Sequence, residues 1–123
     1  MRRRIYLDSS VLIAIVEGEP EIARCALDVL DDPNDPVDII SSEAVRLEVL
    51  PTRLGDPKKT EQTSKIDALF CRAAAVVATF DAPVWQRAIE EAKTYQMQAP
   101  DALHVAAALS AEADELLTAE GPR

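Results

Sequence analysis

The chain has 123 residues, 48% of them apolar and 28% charged, enough for one core and too few for two ordinary domains, so residues 1–123 are expected to form a single domain. Twenty-two acidic residues against 13 lysines and arginines leave a formal charge of -9, which excludes bulk attraction to nucleic acid or to an anionic membrane. Any polyanionic partner needs local help.

Met1-Arg2-Arg3-Arg4 imitates the charged head of an export signal, but only Ile5, Tyr6 and Leu7 follow before Asp8 interrupts the apolar stretch. Neither this run nor residues 11–16 approach the ~20 apolar residues of a membrane helix, so a cytoplasmic protein is expected. Ile5-Tyr6-Leu7 instead suits a buried strand, and Asp8-Ser9-Ser10 suits its opening into a capped helix carrying Val11, Leu12, Ile15 and Val16. Gly18 and Pro20 end that pattern. Ile22, Cys25, Ala26, Val29 and Leu30 mark a second helix, and the Asp and Pro residues of positions 31–36 force a turn.

Val37-Asp38-Ile39-Ile40 reads as the next strand, with Ser41-Ser42-Glu43 capping a helix that carries Val45, Leu47, Glu48 and Leu50. Residues 52–64 read as a solvated connection into a helix through Ile66, Leu69, Phe70 and Ala73. Residues 76–80 read as a third strand. Asp81 then caps a helix whose Val84, Trp85, Ala88, Ile89 and Ala92 repeat helically. Pro100 opens the last clear helix, with Leu103, Ala106, Ala107 and Leu109 as its apolar stripe, and residues 115–118 form a short terminal strand. Strands alternating with helices predict an α/β fold, a parallel sheet covered on both faces, whose working site lies beyond the carboxyl ends of the strands.

Four acids fall near such strand ends or in the early turns of helices: Asp8, Glu48, Asp101 and Glu120. Singly they read as caps or solvated faces, but Glu48 stands among Val45, Leu47, Val49 and Leu50, where a wholly wet surface is hard to arrange. Carboxylates gathered in a cleft repel unless a hard cation such as Mg²⁺ or Mn²⁺ joins them. Such an ion activates water and neutralises charge on a phosphodiester, which gives an acidic protein a route to nucleic acid.

Three blocks carry a resemblance: Tyr6-Leu7-Asp8-Ser9-Ser10-Val11-Leu12-Ile13, Ser41-Ser42-Glu43 through Leu47-Glu48-Val49-Leu50-Pro51, and Pro100-Asp101-Ala102-Leu103-His104-Val105-Ala106-Ala107-Ala108. In order and across nearly the whole chain, they resemble PIN domains, and among these the VapC-type ribonuclease toxins. The resemblance implies a metal-dependent endoribonuclease with Asp8, Glu48 and Asp101 as metal-binding and catalytic acids, and Ser10 ordering Asp8 or the attacking water. It also implies an RNA substrate, a homodimer and a VapB-like antitoxin partner. Glu120 stands where the family usually has Asp, one methylene longer, and implies a weaker or water-mediated contact. The sequence also stops at Arg123, ahead of a closing strand that many members carry. Those two departures motivate the alternative, a catalytically inactive PIN-fold binding module.

Other residues are assigned plainer roles. His104, one turn after Asp101, is read as a structural histidine under the sheet, with a hydrogen bond from behind the metal-binding residues or a general acid role as the alternatives. Asp81 and Glu43 are read as a cap and a first-turn acid. Arg46, Arg53, Lys58, Lys59 and Lys65 either hold RNA phosphates or balance charge on a solvated connection. Cys25 and Cys71 are expected as buried, reduced thiols, and most aromatics as core residues, leaving no base-stacking platform.

Overall fold

Three successive residues of one strand, Ile5, Tyr6 and Leu7, are each no more than 1% exposed, and neighbours on a strand point to opposite faces, so this strand is covered on both sides. It is β1 (Arg3–Leu7) of a computed structural model that describes residues 2–17, 19–49, 64, 67–68, 70–77 and 79–119. Helices α1 (Ser9–Glu17) and α2 (Pro20–Leu30) lead to β2 (Val37–Ser42) and α3 (Glu43–Val49). Then follow β3 (Ala75–Val77), α4 (Ala82–Tyr95), α5 (Ala99–Ser110) and β4 (Glu115–Leu117).

The sheet runs β3-β2-β1-β4 and every pairing is parallel. Register aligns Ile5 with Ile39 on one side of β1 and with Glu115 on the other. A parallel sheet sends all its strands out at one edge, so Asp8, the α3 start after Ser42 and Thr118 emerge together. Apolar residues of β1, β2, α1, α2 and α3 form the main core with Ala107 and Ala108 of α5. A smaller cluster, Val84 and Ala88 against Ala102 and Ala106, joins α4 to α5. No helix of the described residues is long and apolar enough to cross a membrane.

Several sequence expectations need correction. The third strand is Ala75–Val77, displaced from the expected 76–80, because β3 is an edge strand whose pairing with β2 stops at Ser42. Cys25 and Cys71 are exposed thiols. On α2 the buried residues are Ala26 and Leu30, which leaves Cys25 at the margin of the stripe. On α4 only Val84 and Ala88 are buried, while Trp85 is 50% and Ile89 52% exposed, so half of a wide apolar stripe faces outward. Tyr95 is exposed as well, and of the aromatics Tyr6 alone is fully buried.

Candidate active site

Asp8 follows β1 directly, and its amide donates to the Leu117 carbonyl at 3.1 Å, which continues the β1–β4 ladder one step and brings Thr118 abreast. Its carboxylate is consequently surrounded by hydroxyls. Ser9 donates to Oδ1 at 3.3 Å, while Ser10 and Thr118 donate to Oδ2 at 3.2 and 3.0 Å. Ser10 is itself pinned by the Ala119 amide at 3.0 Å. The expected ordering of Asp8 by Ser10 is therefore present, joined by two hydroxyls that had no assigned role.

Glu48 comes from α3, whose start is set by Ser42: the Oγ accepts from the Val45 amide at 3.3 Å in the N-cap position. Glu48 is exposed like its neighbours Arg46 and Leu47, yet its carboxylate reaches across to α1 and α5. His104 Nε2 lies 2.5 Å from its Oε1, and Ser9 donates to its Oε2 at 3.1 Å. Asp101 occupies the first turn of α5, where Pro100 at the helix start and the helix dipole favour an acid. Its side chain makes no hydrogen bond among the described residues.

His104 departs from its expected role. It is buried, but its ring faces the acids: Nε2 stands 2.5 Å from Glu48 and 3.7 Å from Asp8 Oδ1. On the other side Nδ1 meets the Tyr6 hydroxyl at 2.9 Å, and that hydroxyl meets Ser42 Oγ at 2.7 Å. Burial is the main cause that pushes the Tyr6 phenol well above its ordinary range, opposed by the Ser42 hydrogen bond and reinforced by Asp8 and Glu48. Tyr6 and Asp8 are two apart on a strand end, a spacing that could have flagged the tyrosine as facing the same helix.

A hollow of about 180 Å³ is lined by Asp8, Ser9, Glu48, Gln98, Pro100, Asp101 and His104. Three of the four sequence-selected acids thus share one cavity at the carboxyl edge of the sheet. Glu120, Arg53, Lys58, Lys59 and Lys65 lie outside the described residues. Arg46 is engaged locally, 4.0 Å from Glu43, 3.7 Å from Asp67 and over the Phe70 ring. Asp81 caps α4 as expected, accepting from Val84 N at 3.2 Å, and Glu43 is an exposed first-turn acid.

The groups lining the hollow are mostly oxygen donors, the carboxylates of Asp8, Glu48 and Asp101, the Ser9 hydroxyl and the Gln98 amide, with the His104 imidazole beside them, and the carboxylate majority suits Mg²⁺ or Mn²⁺ over softer metals. Among the described residues no three acidic, histidine or cysteine side chains are drawn together around a single point. Both Glu48 oxygens are instead held by hydrogen bonds, one to His104 and one to Ser9. The chemistry of the set fits a divalent cation, and the arrangement requires Glu48 to share an oxygen now bound to His104 or Ser9.

The PIN domain family model matches residues 5–120. Among solved structures, VapBC2 from Rickettsia felis bound to a DNA fragment from its promoter superposes with a TM-score of 0.69 at 20% identity, over 95% of this chain and 87% of that one. A toxin-antitoxin complex from Klebsiella pneumoniae gives 0.69 at 18% identity, over 92% of this chain and 84% of the other. VapBC-1 from nontypeable Haemophilus influenzae gives 0.65 at 19% identity, over 95% and 87%. At such identities the likeness is one of fold. No curated protein matches the sequence.

Proposed function

Because the chain belongs to the PIN domain family, we propose that it is a divalent-metal-dependent endoribonuclease, with residues 1–123 acting as one nuclease domain. The observation that carries this reading is the convergence of Asp8, Glu48 and Asp101, from three separate elements, on one hollow at the carboxyl edge of a parallel sheet. A bound Mg²⁺ or Mn²⁺ supplies charge neutralisation and an activated water for attack on a phosphodiester. The chain supplies the rest. Asp8, ordered by three hydroxyls, and Asp101, in the first turn of α5, both line the hollow, and gathering their oxygens with that of Glu48 on one cation takes a shift of these side chains. Glu48 provides the third carboxylate and Glu120 a fourth.

The superposed structures are VapBC pairs and a toxin-antitoxin complex, which supports a VapC-like toxin with a VapB-like antitoxin that covers the hollow until released. A homodimer working on cytoplasmic RNA completes the reading.

The test is cleavage of structured RNA by the purified chain with Mn²⁺, with EDTA, and by Asp101→Asn. Cleavage that EDTA stops and Mn²⁺ restores, with at least ~100-fold loss in Asp101→Asn, is expected for removal of a metal-binding acid. Full activity in Asp101→Asn overturns the site assignment, and an inert wild type that still binds a partner establishes the binding-module alternative.

A further inference from the structure

Glu48 is the acid whose placement its own helix does not explain. Arg46, Leu47 and Glu48 itself are exposed, the Glu48 side chain at 39%, and a glutamate there would ordinarily extend into solvent with several rotamers open to it. Two contacts from other elements draw its carboxylate across, Ser9 from the start of α1 and His104 from α5. His104 sits one turn beyond Asp101, and its other partner, Tyr6, sits two residues before Asp8. The elements that deliver the other two acids thus also deliver the pair that reaches Glu48.

The hydrogen bonds form a chain whose two ends fix its direction. At one end the Val45 amide can only donate, and Ser42 Oγ accepts it at 3.3 Å. At the other end the Glu48 carboxylate can only accept, so the proton between it and His104 belongs to Nε2. With a neutral imidazole Nδ1 then accepts, the Tyr6 hydroxyl donates to it at 2.9 Å, and Ser42 donates to Tyr6 at 2.7 Å. Every link has one donor and one acceptor. A histidine kept only for packing has no need of a ring nitrogen aimed between two carboxylates, 2.5 Å from one and 3.7 Å from the other.

We propose that His104 is a positioning residue for the metal-binding acids: its Nε2–H, oriented through Nδ1 by Tyr6, holds Glu48 in the hollow beside Asp8. The proposal rests on the metal-dependent reading above and goes beyond it by assigning how the third acid is kept in place. His104 need touch neither cation nor RNA; it acts by limiting where the Glu48 carboxylate can be.

Two measurements test it. In the metal-free wild-type chain, ring ¹⁵N shifts of His104, the only histidine in the sequence, should show Nε2 protonated. A bare Nε2 overturns the proposal without any variant having to fold. In Mn²⁺ titrations followed by calorimetry, His104→Phe, which keeps a ring but loses the donor, should bind ~10- to 100-fold more weakly, the range for loss of a hydrogen bond to a ligating group. His104→Gln keeps an N–H near the Nε2 position and should recover most of that affinity. Wild-type affinity in His104→Phe, or equal loss in both variants, overturns the positioning role and returns the residue to packing. If Nε2 is protonated but the wild type takes up no Mn²⁺, the metal-dependent function fails while the His104–Glu48 contact stands. If the affinities follow the proposal but no RNA is cut, only the nuclease reading fails.

Discussion

Acidic side chains gather at both ends of β1 and are treated in opposite ways. At the amino end each arginine meets an acid or a carbonyl of a neighbouring segment: Arg2 to Asp38 at 2.7 Å, Arg3 to Asp35 at 2.7 Å and Glu115 at 2.8 Å, and Arg4 to the Ala111 carbonyl at 2.8 Å. Those acids are neutralised by the chain itself, in solvent, where such pairs contribute little. At the carboxyl end, five residues on, Asp8 is buried and the Glu48 carboxylate reaches across to α1 and α5, and among the described residues their ionic contacts run only to His104. Hydroxyl and imidazole dipoles hold these carboxylates without cancelling them. The arginine end pairs its charges within the chain, whereas the acid end keeps a local negative charge that a cation would satisfy.

The strongest way to break that contrast is to remove charge from each end in turn. Asp8→Asn should lower Mn²⁺-dependent RNA cleavage by at least ~100-fold, since it takes away the most firmly held oxygen ligand. Its melting temperature in metal-free buffer should not fall, because the amide oxygen still accepts hydrogen bonds while repulsion with the neighbouring acids is relieved. A marked loss of thermal stability would make Asp8 a structural acid that the fold requires. Smaller effects are expected from the hydroxyls that hold it. Thr118→Ala should reduce cleavage by about tenfold, the lower range for groups that orient a ligand, and an unchanged rate would show that Ser9 and Ser10 suffice. Arg3→Ala at the far end should leave cleavage unaltered and lower the melting temperature slightly at low salt, a difference that added salt erases. Salt-independent destabilisation would mean that this end is more than a surface network.

The contrast also explains what the sequence made legible. A central strand buried on both faces is written as consecutive apolar residues, and Ile5-Tyr6-Leu7 ending at Asp8 located both β1 and the edge where the site lies. Asp8 at a strand end and Asp101 in a first helical turn could be picked out because parallel topology brings those positions together whatever the loops do, whereas Glu48, near the far end of α3, was marked by its apolar neighbours and by the second block of the resemblance. The groups that hold them were harder to find. Tyr6 and His104 are 98 residues apart and Tyr6 and Ser42 are 36 apart, and each by itself has the pattern of an ordinary core or cap residue. His104 in particular sits on the buried stripe of α5, so periodicity alone assigns it to packing. The outward half of α4 misled for the opposite reason: Trp85 and Ile89 fit a helical repeat, but the packing against α5 centres on Val84 and Ala88, with Ala92 partly buried beside them.

Between the two ends of β1, Tyr6 sharpens the comparison further, because it is a neutral polar group in a place where neither strategy for charge operates. Its hydroxyl is fully buried and bonded to His104 and Ser42, so Tyr6→Phe leaves two buried partners unsatisfied and should destabilise the fold by about 1–3 kcal/mol at neutral pH. The sign of the pH dependence follows from burial. The unfolded phenol ionises near its ordinary value of 10.0, whereas the folded one is raised above it, so above that pH the folded state holds the extra proton. The contribution is fully present below pH 10 and is lost as pH rises, at up to ~1.4 kcal/mol per pH unit. Titrating groups that do not interact with Tyr6 are common to the wild type and Tyr6→Phe and cancel in the difference between their denaturant unfolding curves. The stability gap between the two should therefore narrow as pH rises above 10. A gap that stays constant into the alkaline range would place the Tyr6 hydroxyl in contact with water, and would remove the buried link through which β1 orients His104.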